Sequence, residues 1–217
     1  MELIRNNIIF TDPAQVAEMD LYNEPFYEQW MLTNIQKLPY RKGVWLDIGA
    51  HVGNHTIFFS NHCQADEVWA YEPTPSTFAI LEQNVNNNPG NVVRLFNCAV
   101  GAKKGYCTVK ESKNGSGKNS ITKSKGKTKL EIVGDISASV ALIKIDVEGF
   151  EFEVLKGAMP VIERDFPELF VETFEPMEKV LEMLPKGYRL VGTYNNAPTY
   201  HFSASKLSVS ENMRTNP

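Results

Sequence analysis

From Gly43 onward, short apolar runs alternate with segments whose apolar positions recur every three or four residues. The runs VWLDI (44–48), EVWAYE (67–72), VVRLF (92–96), ALIKID (141–146) and ELFVET (168–173) are β-branched and aromatic, which predicts strands. Helices are predicted between them: one after Gly53, one from Pro75, one over FEFEVLKGAMPVI (150–162) and one over PMEKVLEML (176–184). In the second of these, Phe78, Leu81 and Val85 fall at i, i+3 and i+7 while Glu82, Asn84 and Asn86 turn elsewhere, so one face is core and the other wet. In the third, Phe150, Val154 and Ala158 mark the inner face, and Glu151 and Glu153 sit in solvent or near the helix N-terminus. Strand and helix alternating at this spacing imply a parallel sheet with crossovers on its faces.

The two ends depart from that rhythm. TDPAQVAEMD (11–20), with Thr11 or Asp12 as N-cap and Pro13 in the first turn, and EPFYEQWMLTNIQKL (24–38) read as two helical stretches covering the sheet or the mouth of a ligand site. YRLVGTY (188–194) and TYHFS (199–203) are joined by the four residues NNAP, too few for a parallel crossover, so the last two strands must be antiparallel. After FNCAVG (96–101) the pattern breaks, and residues 107–133 read as short strands or a hairpin joined by a mobile polar loop. One domain over residues 1–217 is expected, with 1–40 as a helical cap and 41–217 as the core, interrupted by a Lys/Gly/Ser-rich insertion at about 103–129.

Composition narrows the field. A content of 42% hydrophobic and 22% charged residues is that of an ordinary globular chain, and no apolar run approaches the roughly 18 residues of a membrane span. With no signal-peptide pattern in MELIRNNIIF, the expectation is a soluble, cytoplasmic protein. Cys63, Cys98 and Cys107 are odd in number and share no metal-type spacing, so they are read as reduced, buried thiols. The net charge of −4 argues against a general nucleic-acid binder. The charge is uneven: residues 103–129 hold nine lysines, and 146–178 hold ten acids.

Three stretches carry candidate chemistry. Asp47-Ile48-Gly49-Ala50-His51-Val52-Gly53 follows a strand and opens a helix, where free backbone N–H groups are expected to point outward, but it lacks the middle glycine with which G-x-G-x-x-G approaches a pyrophosphate. A dinucleotide is therefore disfavoured. Gly49 and Gly53 are expected to leave room for an adenosine and its amino-acid tail, with Asp47 organising the loop or facing an ammonium. Glu72 ends the next strand, nineteen residues beyond Gly53, where a carboxylate can accept hydrogen bonds from both ribose hydroxyls; the structural alternative is that it caps the helix near Pro75. Asp146 ends the fourth strand and points into the same cleft, followed by Glu148 and by Gly149 at the helix entry.

In this order, DIGAHVGNHT, YEPTPSTFAILEQN and KIDVEGFEFEVLKGA resemble the three signature blocks of the FkbM-type S-adenosylmethionine-dependent methyltransferases, over roughly residues 43–174. The resemblance implies an α/β, Rossmann-like class I methyltransferase fold: a mostly parallel seven-stranded sheet flanked by helices with an antiparallel C-terminal hairpin. It implies O-methylation of a hydroxyl, on a sugar of a glycan or glycoconjugate, or alternatively on a polyketide-like or other small molecule. A non-catalytic cofactor-binding domain is the remaining alternative. An NAD-dependent oxidoreductase is weakened by the missing glycine and the hairpin, and a nucleic-acid methyltransferase by the absence of a [DNS]-P-P-[YFW] turn. Carried onto this chain, the cofactor lies along Asp47, Gly49, Ala50, His51, Gly53 and Asn54, with Glu72 and Pro73 at its ribose, Asn97, Cys98 and Ala99 at the adenine, and Asp146 near the methyl group. The chain departs from the family pattern at His51, His55 and the Lys-rich insertion.

A neutral alcohol is a poor nucleophile, so a carboxylate or imidazole near its proton is expected. Asp146 is the first choice, with Glu148 and Glu172 beside it; the same three acids suggest an optional Mg²⁺. Of the histidines, His51 is a second candidate base, His55 and His62 are read as helix-surface residues, and His201 as facing core or cleft. Lys113, Lys118 or Lys123 is expected to meet a phosphate on the acceptor, or Asn119 and Ser120 a sugar, if the insertion is more than a solvated excursion.

Overall fold

The computed structural model describes residues 3–5, 8–10, 26–110, 120–122 and 126–204. The helix expected at 11–20 lies outside them. Two short strands, β1 (Leu3–Arg5) and β2 (Ile8–Phe10), pair antiparallel and precede α1 (Gln29–Gln36). The core then runs β3 (Val44–Ile48), α2 (Asn54–His62), β4 (Glu67–Tyr71), α3 (Pro75–Asn87) and β5 (Val92–Phe96). An excursion follows: β6 (Ala99–Val100), β7 (Gly105–Lys110), β8 (Ser120–Thr122) and β9 (Thr128–Glu131). The chain returns as β10 (Val140–Ile145), α4 (Glu151–Asp165), β11 (Glu168–Glu172), α5 (Met177–Met183), β12 (Tyr188–Tyr194) and β13 (Thr199–Ala204).

Seven strands form the main sheet in the order β12-β13-β11-β10-β3-β4-β5. The five from β11 to β5 are parallel, and β13 pairs antiparallel with both β11 and β12. The expected fold class is the observed one, because a four-residue link can only turn back on itself. The excursion is a separate four-stranded sheet, β6-β9-β7-β8, whose β7–β8 and β7–β9 pairs are antiparallel.

Successive residues of β3 face opposite layers. Val44, Leu46 and Ile48 pack with Val154, Leu155, Ala158 and Ile162 of α4 and Val180 of α5. Trp45, with Val68, Leu142 and Phe170 of the neighbouring strands, packs with Met31, Leu32 and Ile35 of α1 and Ile57, Phe58 and Phe59 of α2. Burying both faces explains why these strands read as continuous apolar runs rather than alternating ones. It also means that any polar side chain inside them must find a partner.

Two readings need correction. Asn84 does not turn outward: it is fully buried and donates from Nδ2 to the Val52 carbonyl at 2.8 Å, tying α3 to the turn before α2. Seven of the nine residues of α2, His55 among them, are buried, because α1 closes over a helix that would otherwise show a wet face. Cys63, Cys98 and Cys107 are free thiols as expected, the latter two buried. Burial raises the Cys98 thiol to about 11, with Glu131 adding to the effect. Among the described residues, no helix is long and apolar enough to cross a membrane.

Candidate active site

The parallel register brings the chemistry-bearing residues to one rim. Asp47 lies opposite Ala70 of β4 and Lys144 of β10, and Ile48 opposite Tyr71 and Ile145. Glu72 and Asp146 therefore each follow directly on a strand end adjacent to that of β3, and Glu172 ends β11. By the two-residue period, Asp47, Lys144 and Glu172 share a face with Trp45, Leu142 and Phe170, the face covered by α1 and α2.

The turn between β3 and α2 is tied down by its own hydrogen bonds. Gly49 N–H and Ala50 N–H both donate to the Tyr71 carbonyl at 3.0 Å, Gly53 N–H to the Ala50 carbonyl, and His51 N–H to Glu72 Oε2 at 3.1 Å. These N–H groups do not point outward to a guest, as the sequence suggested; the adjacent strand end consumes them and makes the loop rigid. The two glycines serve the turn too. Both have positive φ, +85° and +94°, and a side chain at Gly49 would meet the Asp146 carbonyl at 1.7 Å, one at Gly53 the Leu81 side chain at 2.7 Å. The space they leave is filled by protein. His51 adopts the left-handed region as well, at φ 52°. Helix α2 begins without a side-chain cap at Gly53.

Glu72 is 6% exposed. Its Oε1 accepts from Thr74 N–H at 2.8 Å and its Oε2 from His51 N–H, so it braces both the α3 entry and the β3–α2 turn. Burial pushes its pKa up, against the lowering effect of those donors and of Lys144. Both reading alternatives for this residue are compatible with the geometry, since each carboxylate oxygen keeps a second acceptor site. Asn97, exposed beyond β5, donates from Nδ2 to the Glu72 carbonyl at 2.9 Å, and Cys98 and Ala99 are buried behind it. Pro73 links Glu72 to Thr74, the N-cap of α3.

At the centre of the rim is a residue that the pattern of motifs passes over. Lys144 is 3% exposed, and its Nζ stands 3.1 Å from Asp146 Oδ2, 3.3 Å from the Gly49 carbonyl and 3.5 Å from Asp47 Oδ1. Burial alone would lower its pKa; Asp146, Asp47, Glu172 and Glu28 together outweigh that and raise it, so it is an ammonium. Asp47 is fully buried; its Oδ2 accepts from Thr56 Oγ1 at 2.6 Å, while no hydrogen bond reaches its Oδ1. Glu172 is pushed up to about 8 by burial, then by Asp146 and Glu28, with Lys144 opposing and Glu148 adding. Thr199 Oγ1 lies 3.5 Å from Glu172 Oε2.

Outside the strands, a cleft of about 240 Å³ opens between Asp146, Glu148, Gly149, Glu151, Phe152 and the segment Glu172–Glu175. Glu148, at φ 50°, is exposed, and Phe174 at the lip is 80% exposed. Glu151 is buried rather than solvated, accepting from Gly149 N–H at 2.6 Å. Among the described residues, no three His, Cys, Asp or Glu side chains are placed to hold a metal ion together, so the optional Mg²⁺ finds no ligand set there. His62 is exposed as expected. His201 faces the core, stacked on Phe170 at 4.1 Å with Nε2 2.7 Å from Glu168 Oε2 at the start of β11, the end of the sheet away from the rim. Lys113, Lys118, Lys123 and Asn119 lie outside the described residues, and Ser120 is known only as the first residue of β8.

Residues 47–190 match the family model described as the methyltransferase FkbM domain. This chain belongs to that family. The match spans the rim from Asp47 to Glu172 and reaches into β12. Over 118 residues the chain is 32% identical to the hexuronic acid methyltransferase AglP of Haloferax volcanii, covering 51% of this chain and 48% of that protein. It thus spans about half the length of the curated relative it matches. A solved FkbM methyltransferase from Methylobacillus flagellatus KT superposes with a TM-score of 0.56 at 18% identity, covering 86% of this chain and 50% of that one. A ribosomal protein L11 methylase from Lactobacillus delbrueckii subsp. bulgaricus gives 0.51 at 9% identity, covering 82% and 78%. Both likenesses concern the fold, which is that of the class I methyltransferases.

Two members of this FkbM-family rim were missed by motif reading. Lys144 is legible in retrospect: a lysine inside the continuous apolar run ALIKI of a central strand has nowhere to go but to a buried partner. Glu28 had no such signal. It lies just before α1 at φ 58°, its carboxylate 3.2 Å from His55 Nε2, with both side chains 6% exposed.

Proposed function

We propose that this chain is an S-adenosylmethionine-dependent O-methyltransferase acting on a sugar hydroxyl of a glycan or glycoconjugate. The observation that carries the reading is the convergence of Asp47, Glu72, Asp146 and Glu172 on one rim of an FkbM-family sheet. The acceptor set suits the cofactor: Asp47 Oδ1 is fully buried and receives no hydrogen bond, with the Lys144 ammonium 3.5 Å away, and Glu72 keeps acceptor capacity at the end of the second parallel strand. The turn has no middle glycine for a pyrophosphate.

In this reading Asp47, Gly49, Ala50, His51, Gly53 and Asn54 border the amino-acid end of the cofactor, Glu72 and Pro73 its ribose, and Asn97, Cys98 and Ala99 its adenine. The bound cofactor supplies a methyl group already activated on a sulfonium. The protein's own task is to align the acceptor oxygen, exclude water and receive a proton. Glu172 is the group best matched to the last step, because its pKa near 8 lies close to working pH. Asp146, held by Lys144, orients the acceptor from the other side. Glu148 stands further out on the same lip.

The relative acting on a hexuronic acid favours a saccharide acceptor. Five carboxylates in the cleft, Asp146, Glu148, Glu151, Glu172 and Glu175, disfavour a negatively charged ring there. A neutral sugar is the expected substrate. Calorimetric titration is expected to show binding of S-adenosylmethionine and not of NAD, weakened at least about tenfold in Glu72→Ala. Methyl transfer to neutral hexosides is expected to exceed transfer to the matching hexuronates. Binding of NAD in place of the sulfonium compound refutes the reading.

A further inference from the structure

The residues ahead of the α/β core contribute a charge to the rim that none of the three signature blocks contains. Tyr27 and Asn54 exchange hydrogen bonds, Tyr27 N–H to Asn54 Oδ1 and Asn54 Nδ2 to the Tyr27 carbonyl, each 3.1 Å. This double link clamps the chain just before α1 onto the first residue of α2. The next residue, Glu28, is turned inward by a left-handed backbone and buried against His55. The two side chains are 3.2 Å apart, yet no hydrogen bond reaches His55 Nε2, a polar atom left orphaned in the interior. A buried charge so loosely paired gives little stability and is costly to keep. Its charge acts on Lys144 and on Glu172. Asp146 and Asp47 stand 3.1 and 3.5 Å from the Lys144 ammonium, and Glu172 and Glu28 add their fields to theirs.

We propose that Glu28, clamped over the rim by the Tyr27–Asn54 link, biases the site toward the positively charged form of the cofactor and against its product, which has no net charge. The inference rests on the cofactor reading above. S-adenosylmethionine carries one net positive charge, from sulfonium, ammonium and carboxylate; S-adenosylhomocysteine has lost the sulfonium and is neutral overall. Both present the same amino acid, ribose and adenine. A carboxylate held at the rim against His55, whose chain neighbour Thr56 binds Asp47, therefore weights substrate over product by its field alone, and helps the product leave.

The test is calorimetric titration of the full chain with each compound in turn. In the Glu28→Gln variant the ratio of the two affinities is expected to fall about tenfold, the effect of one unit charge about 12 Å away at an effective dielectric near 20. Binding of the demethylated compound should change by less than about threefold. Glu28→Asp keeps the charge and should retain most of the ratio. His55→Asn removes the facing imidazole and leaves Glu28 in place, so the ratio should hold or rise, which gives a second route should Glu28→Gln fold poorly. Equal weakening of both ligands in Glu28→Gln marks a structural role and overturns the proposal, as does an unchanged ratio or a fall in His55→Asn. Wild-type protein that binds neither compound refutes the cofactor reading itself, a different outcome from binding both with a ratio indifferent to residue 28.

Discussion

Lys144→Met isolates what the buried ammonium does. Methionine keeps the length and apolar stem of lysine, so the substitution removes one charge with little change of volume. It strips Asp47 of its only nearby cation among the described residues, 3.5 Å away, and Asp146 of a partner at 3.1 Å, while Asp47 stays fully buried. Leaving a buried charge without its partner costs about 3–5 kcal/mol. In a chain of this size each kcal/mol lowers the melting temperature by about 2–4 °C, so a fall of roughly 6–20 °C is expected. The sign with pH follows from the raised pKa of Lys144: its contribution is complete below the unfolded value of about 10.4 and is lost only as pH rises through the higher folded value. The deficit should therefore be constant from neutral pH to about pH 9. Urea unfolding followed by tryptophan fluorescence and by circular dichroism, with coincident transitions, measures it. In Asp47→Asn/Lys144→Met the loss should be smaller than the sum of the single losses by at least about 1 kcal/mol. A Lys144→Met cost below about 1 kcal/mol with additive singles refutes the reasoning.

Glu172→Gln is expected to lower methyl transfer at least about 100-fold and to abolish an ascending limb of activity near pH 8. Because the folded pKa of Glu172 is raised, wild-type stability should decline as pH rises from about 4.5 towards 8; urea midpoints across that window should flatten in Glu172→Gln. Gly49→Ala, whose new Cβ meets the Asp146 carbonyl at 1.7 Å from a φ of +85°, should cost at least about 3 kcal/mol, whereas Gly149→Ala, at φ +90° with nothing within 4 Å, should cost about 1–2 kcal/mol; equal urea midpoints would contradict this.

Where sequence reading succeeded, the signal was local. Asp47 sits one residue before the end of its strand and Glu72 and Asp146 directly after theirs; the apolar pattern of each strand is legible in five or six residues, and parallel strands place such ends on one edge. Where it failed, a partner distant in sequence decided the outcome. His55 reads as a helix-surface residue until α1 covers α2; Asn84 reads as outward until the Val52 carbonyl is found beneath it. The outward N–H groups expected in the Gly49–Gly53 turn were claimed by the Tyr71 carbonyl and by Glu72, across the β3–β4 register. The base role we propose falls to Glu172, which the sequence reading placed beside Asp146, because only the fold shows that Lys144 holds the Asp146 carboxylate.

The order of strands and helices, the antiparallel end of the sheet and the three signature blocks follow from the amino-acid sequence alone, since spacing and periodicity are properties of neighbouring residues. The raised pKa of Glu172, the pairing of Lys144 and the arrival of Glu28 come from the tertiary structure. Charges interact through space: Glu28 and Lys144 are 116 residues apart along the chain, yet Glu28 acts on Lys144 across the buried rim.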